Sequence, residues 1–126
     1  MPRKPRRFPP FPSPIRPMSQ DEVMDVIVPE LTRRIVALAD PLRIILFGSA
    51  ARGEMGPDSD LDVLVVMPEG TNRKETLEAL YRELMIGFAK DILVITEGEL
   101  AEHGDDPWMV YHKALREGKE LYRKEG

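Results

Sequence analysis

The chain lacks several features on which whole classes of protein depend. It has no cysteine among its 126 residues, which excludes disulfide bonds and thiolate metal ligands. With only two histidines, His103 and His112, any metal site would be built mainly from oxygen ligands. No apolar run approaches the roughly 18 to 20 residues of a membrane span, and the N-terminus lacks the apolar core of a signal peptide. We therefore expect a cytoplasmic protein with one small core and no membrane contact.

Acidic residues are absent from the first 18 residues, which hold seven of the twelve prolines and five basic side chains. Because the whole chain has a net charge of -4, the remaining 108 residues carry -9. So many prolines predict polyproline II and disfavour a helix or a central strand. Two interpretations stay open: a solvated extension, or an arm on an acidic surface of the body, of a partner or of nucleic acid. The acidic body argues against nucleic acid as the main partner. We divide the chain into an extension, 1–18, and a domain, 19–126.

Hydrophobic periodicity predicts an α/β (α+β) domain with a small mixed sheet backed by helices. A Ser-x-x-Glu capping box at 19–22 opens an amphipathic helix that runs to about Ala39, with a kink or break at Pro29. Apolar runs predict strands at about 42–47, 61–67 and 90–96. Further helices are predicted at 50–54, at 73–88 and from Asp106-Pro107 to Gly118.

Residues that can carry chemistry cluster at the ends of two predicted strands. Gly48 and Ser49 close the first strand, and Asp60 and Asp62 open the second. Since side chains alternate along a strand, the two aspartates point the same way and can reach one cation together. The glycine allows a close backbone approach, and the serine hydroxyl can donate a hydrogen bond to an anion. The pattern predicts a site where a metal ion meets a phosphate.

The segments Leu46-Phe47-Gly48-Ser49-Ala50-Ala51-Arg52-Gly53 and Ser59-Asp60-Leu61-Asp62-Val63-Leu64-Val65 resemble the signature of the minimal nucleotidyltransferases. These belong to the DNA polymerase beta-like nucleotidyltransferase superfamily, and the resemblance covers about residues 20 to 123. It implies that Asp91, on the third strand, is the third carboxylate beside Asp60 and Asp62. These three would hold two Mg²⁺ ions, with ATP as the nucleotide donor, and Asp91 would take the proton of the acceptor hydroxyl.

The resemblance also implies roles for the residues around the glycine. Gly48 and Ser49 would hold the β- and γ-phosphates of the nucleoside triphosphate. Arg52 would either reach a phosphate or pair with a nearby acid to fix the loop. We expect His103 in a polar loop and His112 at the surface or half-buried, without a role as ligands.

The family suggests an acceptor, because minimal nucleotidyltransferases are commonly encoded with HEPN-domain proteins as toxin-antitoxin pairs. Some transfer AMP to a tyrosine of that toxin, so the leading hypothesis is an antitoxin that adenylylates a HEPN partner. One alternative is a non-catalytic antitoxin that blocks the partner by contact. Another is a small-molecule nucleotidyltransferase, in which a homodimer could supply the acceptor pocket. The three carboxylates favour catalysis, because a pure binding module has no use for a costly cluster of like charge.

Overall fold

A four-stranded mixed sheet organises the computed structural model, which describes residues 20–48, 61–84, 89–103 and 110–125. The strand order is β3-β2-β1-β4, and β1 lies antiparallel to both of its neighbours, whereas β2 and β3 are parallel. The four strands are β1 (Arg43–Phe47), β2 (Leu61–Met67), β3 (Ala89–Thr96) and β4 (Lys119–Arg123). The predicted small mixed sheet backed by helices is confirmed, and its first three strands lie within two residues of their predicted bounds.

The first helical segment is interrupted, as its proline predicts. It consists of α1 (Gln20–Glu22), a π-helical stretch (Val23–Ile27) and α2 (Val28–Ala39). Pro29 lies in the first turn of α2, where the N–H that proline lacks would have no helical partner. The break therefore takes the form of a wider helical turn just before the proline.

Three further helices follow in the described part of the chain, namely α3 (Arg73–Leu84), α4 (Glu97–His103) and α5 (Val110–Glu117). Asn72 caps α3, because its Oδ1 accepts a hydrogen bond from the N–H of Glu75 at 3.1 Å. The prediction of a loop at His103 is wrong, since α4 includes that residue. The predicted helix at 50–54, the end of α3 at 88 and the start of α5 at Asp106-Pro107 lie outside the described residues. No described helix is both long and apolar enough to cross a membrane.

The sheet buries apolar side chains on both faces. On one face, Leu61, Val63 and Val65 of β2 pack against α2 and α3 in the larger core cluster. On the other, Leu64 and Val66 pack with side chains of β1, β3 and α5. Burying one such aliphatic side chain stabilises the fold by about 1.5 to 3 kcal/mol, so both faces contribute. This double burial explains why β2 reads as a nearly continuous apolar run.

Gly118 joins α5 to β4 at a close crossing over β1. Its N–H donates to the carbonyl of Ala114 at 2.8 Å, which ends α5 as predicted. A Cβ at this position would lie 2.9 Å from the carbonyl oxygen of Leu46 and 2.5 Å from Cγ2 of Ile45. Only glycine therefore lets the chain pass so close to β1. The chain then continues as β4, a strand that was not among those predicted from the sequence.

Candidate active site

The turn after β1 lies directly against an acidic residue of β2. Phe47 is the register partner of Asp62 in the antiparallel pair, and Gly48 follows with φ +76°. A Cβ built on Gly48 would collide with Oδ2 of Asp62 and would lie 3.2 Å from its Cγ. The glycine is thus required twice, by its left-handed backbone and by the carboxylate beside it. Two of the residues predicted for the site, Gly48 and Asp62, are in contact distance across the two strands.

The parallel neighbour of β2 brings a third predicted position to the same place. Asp62 is the register partner of position 91 on β3. An irregularity lies just before this pair, because Leu61 is opposite Ala89, so that Lys90 is the extra residue of β3. The backbone therefore places position 91 beside Asp62 on the adjacent strand. This register is what a shared carboxylate site requires.

Asp62 belongs to the face of the sheet that carries the smaller core cluster. Leu61 and Val63, its neighbours in the chain, are fully buried in the larger cluster on the opposite face. Leu64 and Val66, two and four residues later, belong to the smaller cluster. Asp62 is half-buried, so the residue packs in the sheet and keeps part of its surface exposed to solvent. A carboxylate in this setting can accept a ligand from outside.

The other predicted site residues are placed only in part. Ser49, Arg52 and Asp60 lie outside the described residues, and Asp91 is described by its backbone alone. Among the described side chains, no group of three or more metal-binding residues occurs. The metal site therefore stays a prediction. Its chemistry is compatible with what is seen, because an oxygen ligand at Asp62 next to a residue without a side chain suits a hard cation and an anionic partner.

One contact next to position 91 was not expected from the sequence. The N–H of Ile92 donates a hydrogen bond to Oη of Tyr81 on α3, at 3.2 Å. Because β3 is at the edge of the sheet formed by the described strands, this phenol oxygen satisfies an outward-facing backbone group immediately after Asp91. No sequence signal links positions 81 and 92, since the pairing depends on how α3 crosses the sheet.

The carboxyl groups in the described part of the chain whose pKa is strongly lowered lie away from Asp62. Hydrogen bonds from Arg33, and then from Arg34, lower the pKa of Glu30 to about 2. Glu120, on β4, also has a pKa of about 2, chiefly because Arg123 donates hydrogen bonds to it. Glu30 belongs to an ion-pair cluster on α2, and Glu120 belongs to one at β4. We assign them to stability and not to the site at Asp62.

A family profile described as "Nucleotidyltransferase domain" matches residues 28–121, which include every predicted site residue. The chain belongs to this nucleotidyltransferase family. The protein is therefore a nucleotidyltransferase, and its substrate is a nucleotide.

One relative agrees with this assignment, and one solved structure shares the fold. A Methanocaldococcus jannaschii protein named "Putative protein adenylyltransferase" is 34% identical over 80 residues, which are 64% of this chain and 77% of that protein. A Sulfolobus solfataricus crystal structure described as a "putative nucleotidyltransferase" superposes with a TM-score of 0.59, at 20% identity. The superposition covers 87% of this chain and 92% of that one, and at this identity it supports the fold alone.

Proposed function

We propose that this nucleotidyltransferase transfers AMP from ATP to a hydroxyl group of another protein, and that the acceptor is a tyrosine of a HEPN-domain toxin. In this role the protein is an antitoxin. The observation that carries the proposal is the contact between the Gly48 turn and the Asp62 carboxylate, with position 91 in register on the next strand. The family match supports the reaction class.

Each residue of the proposed site has a defined task. Asp60, Asp62 and Asp91 would hold Mg²⁺, which would neutralise phosphate charge and stabilise the attacking and leaving oxygens. Gly48 makes room for the Asp62 carboxylate. The Gly48 turn would hold the β- and γ-phosphates, to which Ser49 would donate a hydrogen bond. Arg52 would contribute a positive charge to the same phosphates.

The chemical step forms one bond and breaks one bond. The tyrosine oxygen attacks the α-phosphorus of ATP, and the bond from the α-phosphorus to the bridging oxygen breaks. Pyrophosphate leaves with that oxygen, and Asp91 takes the proton of the tyrosine hydroxyl. The product is a tyrosine with AMP attached through a phosphodiester bond.

The protein acceptor rests on two further supports. The Methanocaldococcus relative is named for adenylyl transfer to protein, and the match covers 77% of its length. The resemblance to minimal nucleotidyltransferases suggests a HEPN-domain partner. Such a partner would present its tyrosine to the half-buried Asp62, at the start of β2.

The proposal is tested by label transfer. The protein is incubated with Mg²⁺, a HEPN-domain protein as the proposed partner, and ATP labelled at the α-phosphate. We expect label on the partner from α-labelled ATP but none from γ-labelled ATP, since pyrophosphate leaves. The double variant Asp60→Asn/Asp62→Asn should transfer no label. Asp25→Asn, the same chemical change at an exposed position of the π-helical stretch, should transfer label normally.

The same variants distinguish catalysis from blocking by contact. If the Asp60→Asn/Asp62→Asn variant transfers no label and also fails to neutralise the toxin, the antitoxin acts by adenylylation. If that variant neutralises the toxin fully, the protein acts as a binding module and the proposal is overturned. Label that reaches a partner whose acceptor tyrosine is changed to phenylalanine would contradict the choice of acceptor.

A further inference from the structure

An apolar groove of about 610 Å³ runs between α2 and β4. Its apolar lining comes from Met24, Val28 and Val36 on the helical side and from Leu121 and Tyr122 on the strand side. Its charged lining residues are Arg33, Lys119 and Glu120. Two of these three already have partners within the body: Arg33 donates to Glu30, and Glu120 accepts from Arg43 and Arg123. An apolar occupant therefore fits this groove better than a strongly charged one.

The strand side of the groove is also the edge of the sheet. β4 is the last strand in the order, and its outer edge pairs with no other described strand. Proteins usually cover or blunt an edge of this kind, since it otherwise invites pairing with other chains. A segment with many prolines can lie over such an edge without extending the sheet, because proline has no N–H to donate.

The N-terminal extension has a pattern that fits this surface. Polyproline II has three residues per turn, so every third residue lies on the same ridge. One ridge of the extension would consist entirely of apolar residues: Pro2, Pro5, Phe8, Phe11, Pro14 and Pro17. A second ridge would carry Lys4, Arg7 and Arg16. In this conformation the extension is therefore amphipathic, with an apolar side and a basic side.

We propose that the segment from Phe8 to Pro14 docks into the groove of its own chain in the polyproline II conformation, with the Phe8 and Phe11 ridge inward. Aromatic-lined grooves are the usual receptors for such segments, and Tyr122 supplies an aromatic ring here. The extension ends at the start of α1, and Met24, the first groove residue, lies just beyond it. Docking within one chain needs little intrinsic affinity, because the effective concentration of a short tether is of the order of millimolar.

The length of the groove matches a segment of the extension, and acidic residues beside the groove complement its basic ridge. The helical lining runs from Met24 to Val36, which spans about 18 Å at 1.5 Å per residue. At about 3.1 Å per residue, roughly six residues of polyproline II cover that length. The apolar segment from Phe8 to Pro14 is long enough. Exposed Asp21 and Asp25, on either side of Met24 in the chain, can attract the basic ridge.

The groove lies away from the candidate active site. Leu121 and Tyr122 pack with the larger core cluster, on the face of the sheet opposite to Asp62. Docking would therefore cover an edge and an apolar surface without closing the nucleotide site. This inference does not depend on the proposed reaction.

A spin label on the extension tests the proposal in the full chain. Because the chain has no cysteine, Ser13→Cys gives a single attachment site, and position 13 lies on the ridge with Lys4, Arg7 and Arg16. The readout is the loss of methyl NMR intensity caused by the nitroxide. We expect strong loss at the groove residues Val28, Val36 and Leu121. We expect little loss at Leu64 and Val66, which lie on the opposite face and also report that the fold is intact.

Two double variants distinguish docking through the apolar ridge from nonspecific hydrophobic association. Phe8→Ser/Phe11→Ser removes the apolar ridge and should abolish the intensity loss at the groove. Ile15→Ser/Met18→Ser removes apolar side chains from a different ridge and should preserve it. Absence of intensity loss at the groove in the parent chain, or an equal response of both variants, would overturn the proposal.

A mixed sample shows which chain supplies the extension. It combines isotope-labelled chains without nitroxide and unlabelled chains with nitroxide. We expect no intensity loss at the groove in this mixture, because each extension occupies its own groove. A loss as large as in the chain that carries both the isotope and the nitroxide would mean that a second copy supplies the segment. That result would overturn docking within one chain.

Discussion

Gly48→Ala is the substitution that most directly probes the packing of the candidate site. Gly48 has φ +76°, and an L-residue in the left-handed region costs about 1 to 2 kcal/mol. The added methyl group also collides with the Asp62 carboxylate, and overpacking of this kind typically costs about 1 to 3 kcal/mol more. We expect the free energy of unfolding to fall by about 2 to 5 kcal/mol. At about 4 °C per kcal/mol, Tm should fall by roughly 8 to 20 °C.

The chain offers a matched control at Gly70. This residue has φ +86°, but nothing lies within 4 Å of a Cβ built on it. Gly70→Ala therefore reports the backbone strain alone, about 1 to 2 kcal/mol. Urea unfolding of both variants gives the comparison. Nucleotidyl transfer should be lost in Gly48→Ala, because the carboxylate must move, and it should be retained in Gly70→Ala.

A double-mutant cycle isolates the contact with Asp62. In an Asp62→Ala background the carboxylate is gone, so Gly48→Ala should cost only the backbone strain. The coupling free energy between the two positions should then be about 1 to 3 kcal/mol. If Gly48→Ala costs no more than Gly70→Ala, or if the coupling is zero, the close contact described here is refuted.

Three further substitutions test other parts of the structure. Tyr81→Phe leaves the N–H of Ile92 without its partner and should lower the free energy of unfolding in urea by about 1 kcal/mol. Nucleotidyl transfer should also be slower, because position 91 adjoins that N–H. An unchanged transfer rate would show that the contact does not position β3. Gly118→Ala should cost about 1 to 3 kcal/mol of unfolding free energy, since its methyl group meets backbone and side-chain atoms of β1, and wild-type stability would contradict the close crossing. The pKa of Glu30 is lowered from 4.5 to about 2, so its contribution to stability is present above pH 4.5 and is lost as the pH falls towards 2. Glu30→Gln should therefore lose less stability than the wild type between pH 5 and 2, and identical acid titrations would contradict the ion pair.

The predicted strands and the break at Pro29 come from local sequence signals. Both faces of β2 are buried, so its apolar run is unmistakable, and proline interrupts a helical ladder wherever it occurs. These features follow from side-chain chemistry within a few residues. They need no knowledge of distant contacts.

Two elements, α4 and β4, are not predicted from the sequence because their sequence signals are short. Among the described side chains of α4, only Leu100 packs against a core cluster, so the hydrophobic periodicity of this helix is weak. Its capping box was available, since Thr96 and Glu99 are three apart and exchange hydrogen bonds at 3.3 Å. β4 is an exposed edge strand with three charged residues of five, and pairing with β1 stabilises it more than burial does. The hydrophobic pattern therefore does not predict it.

The candidate site shows where sequence reasoning needs a structure. The motif predicted Gly48 and Asp62 as members of one site, and the antiparallel register places them in contact. The contribution of Tyr81 depends on the path of α3 over the sheet, which no local pattern encodes. Ser49, Arg52 and Asp60 lie outside the described residues, and their roles stay predictions.

The most direct test of the candidate site is titration calorimetry on the protein alone. A non-hydrolysable α,β-methylene ATP analogue is titrated into the protein with and without Mg²⁺. The wild type should bind the analogue only when Mg²⁺ is present. Asp62→Asn should weaken binding by at least about tenfold, or about 1.4 kcal/mol, whereas Asp25→Asn should bind as the wild type does. Equal affinity of Asp62→Asn and the wild type would contradict the claim that the carboxylate beside Gly48 forms the nucleotide site.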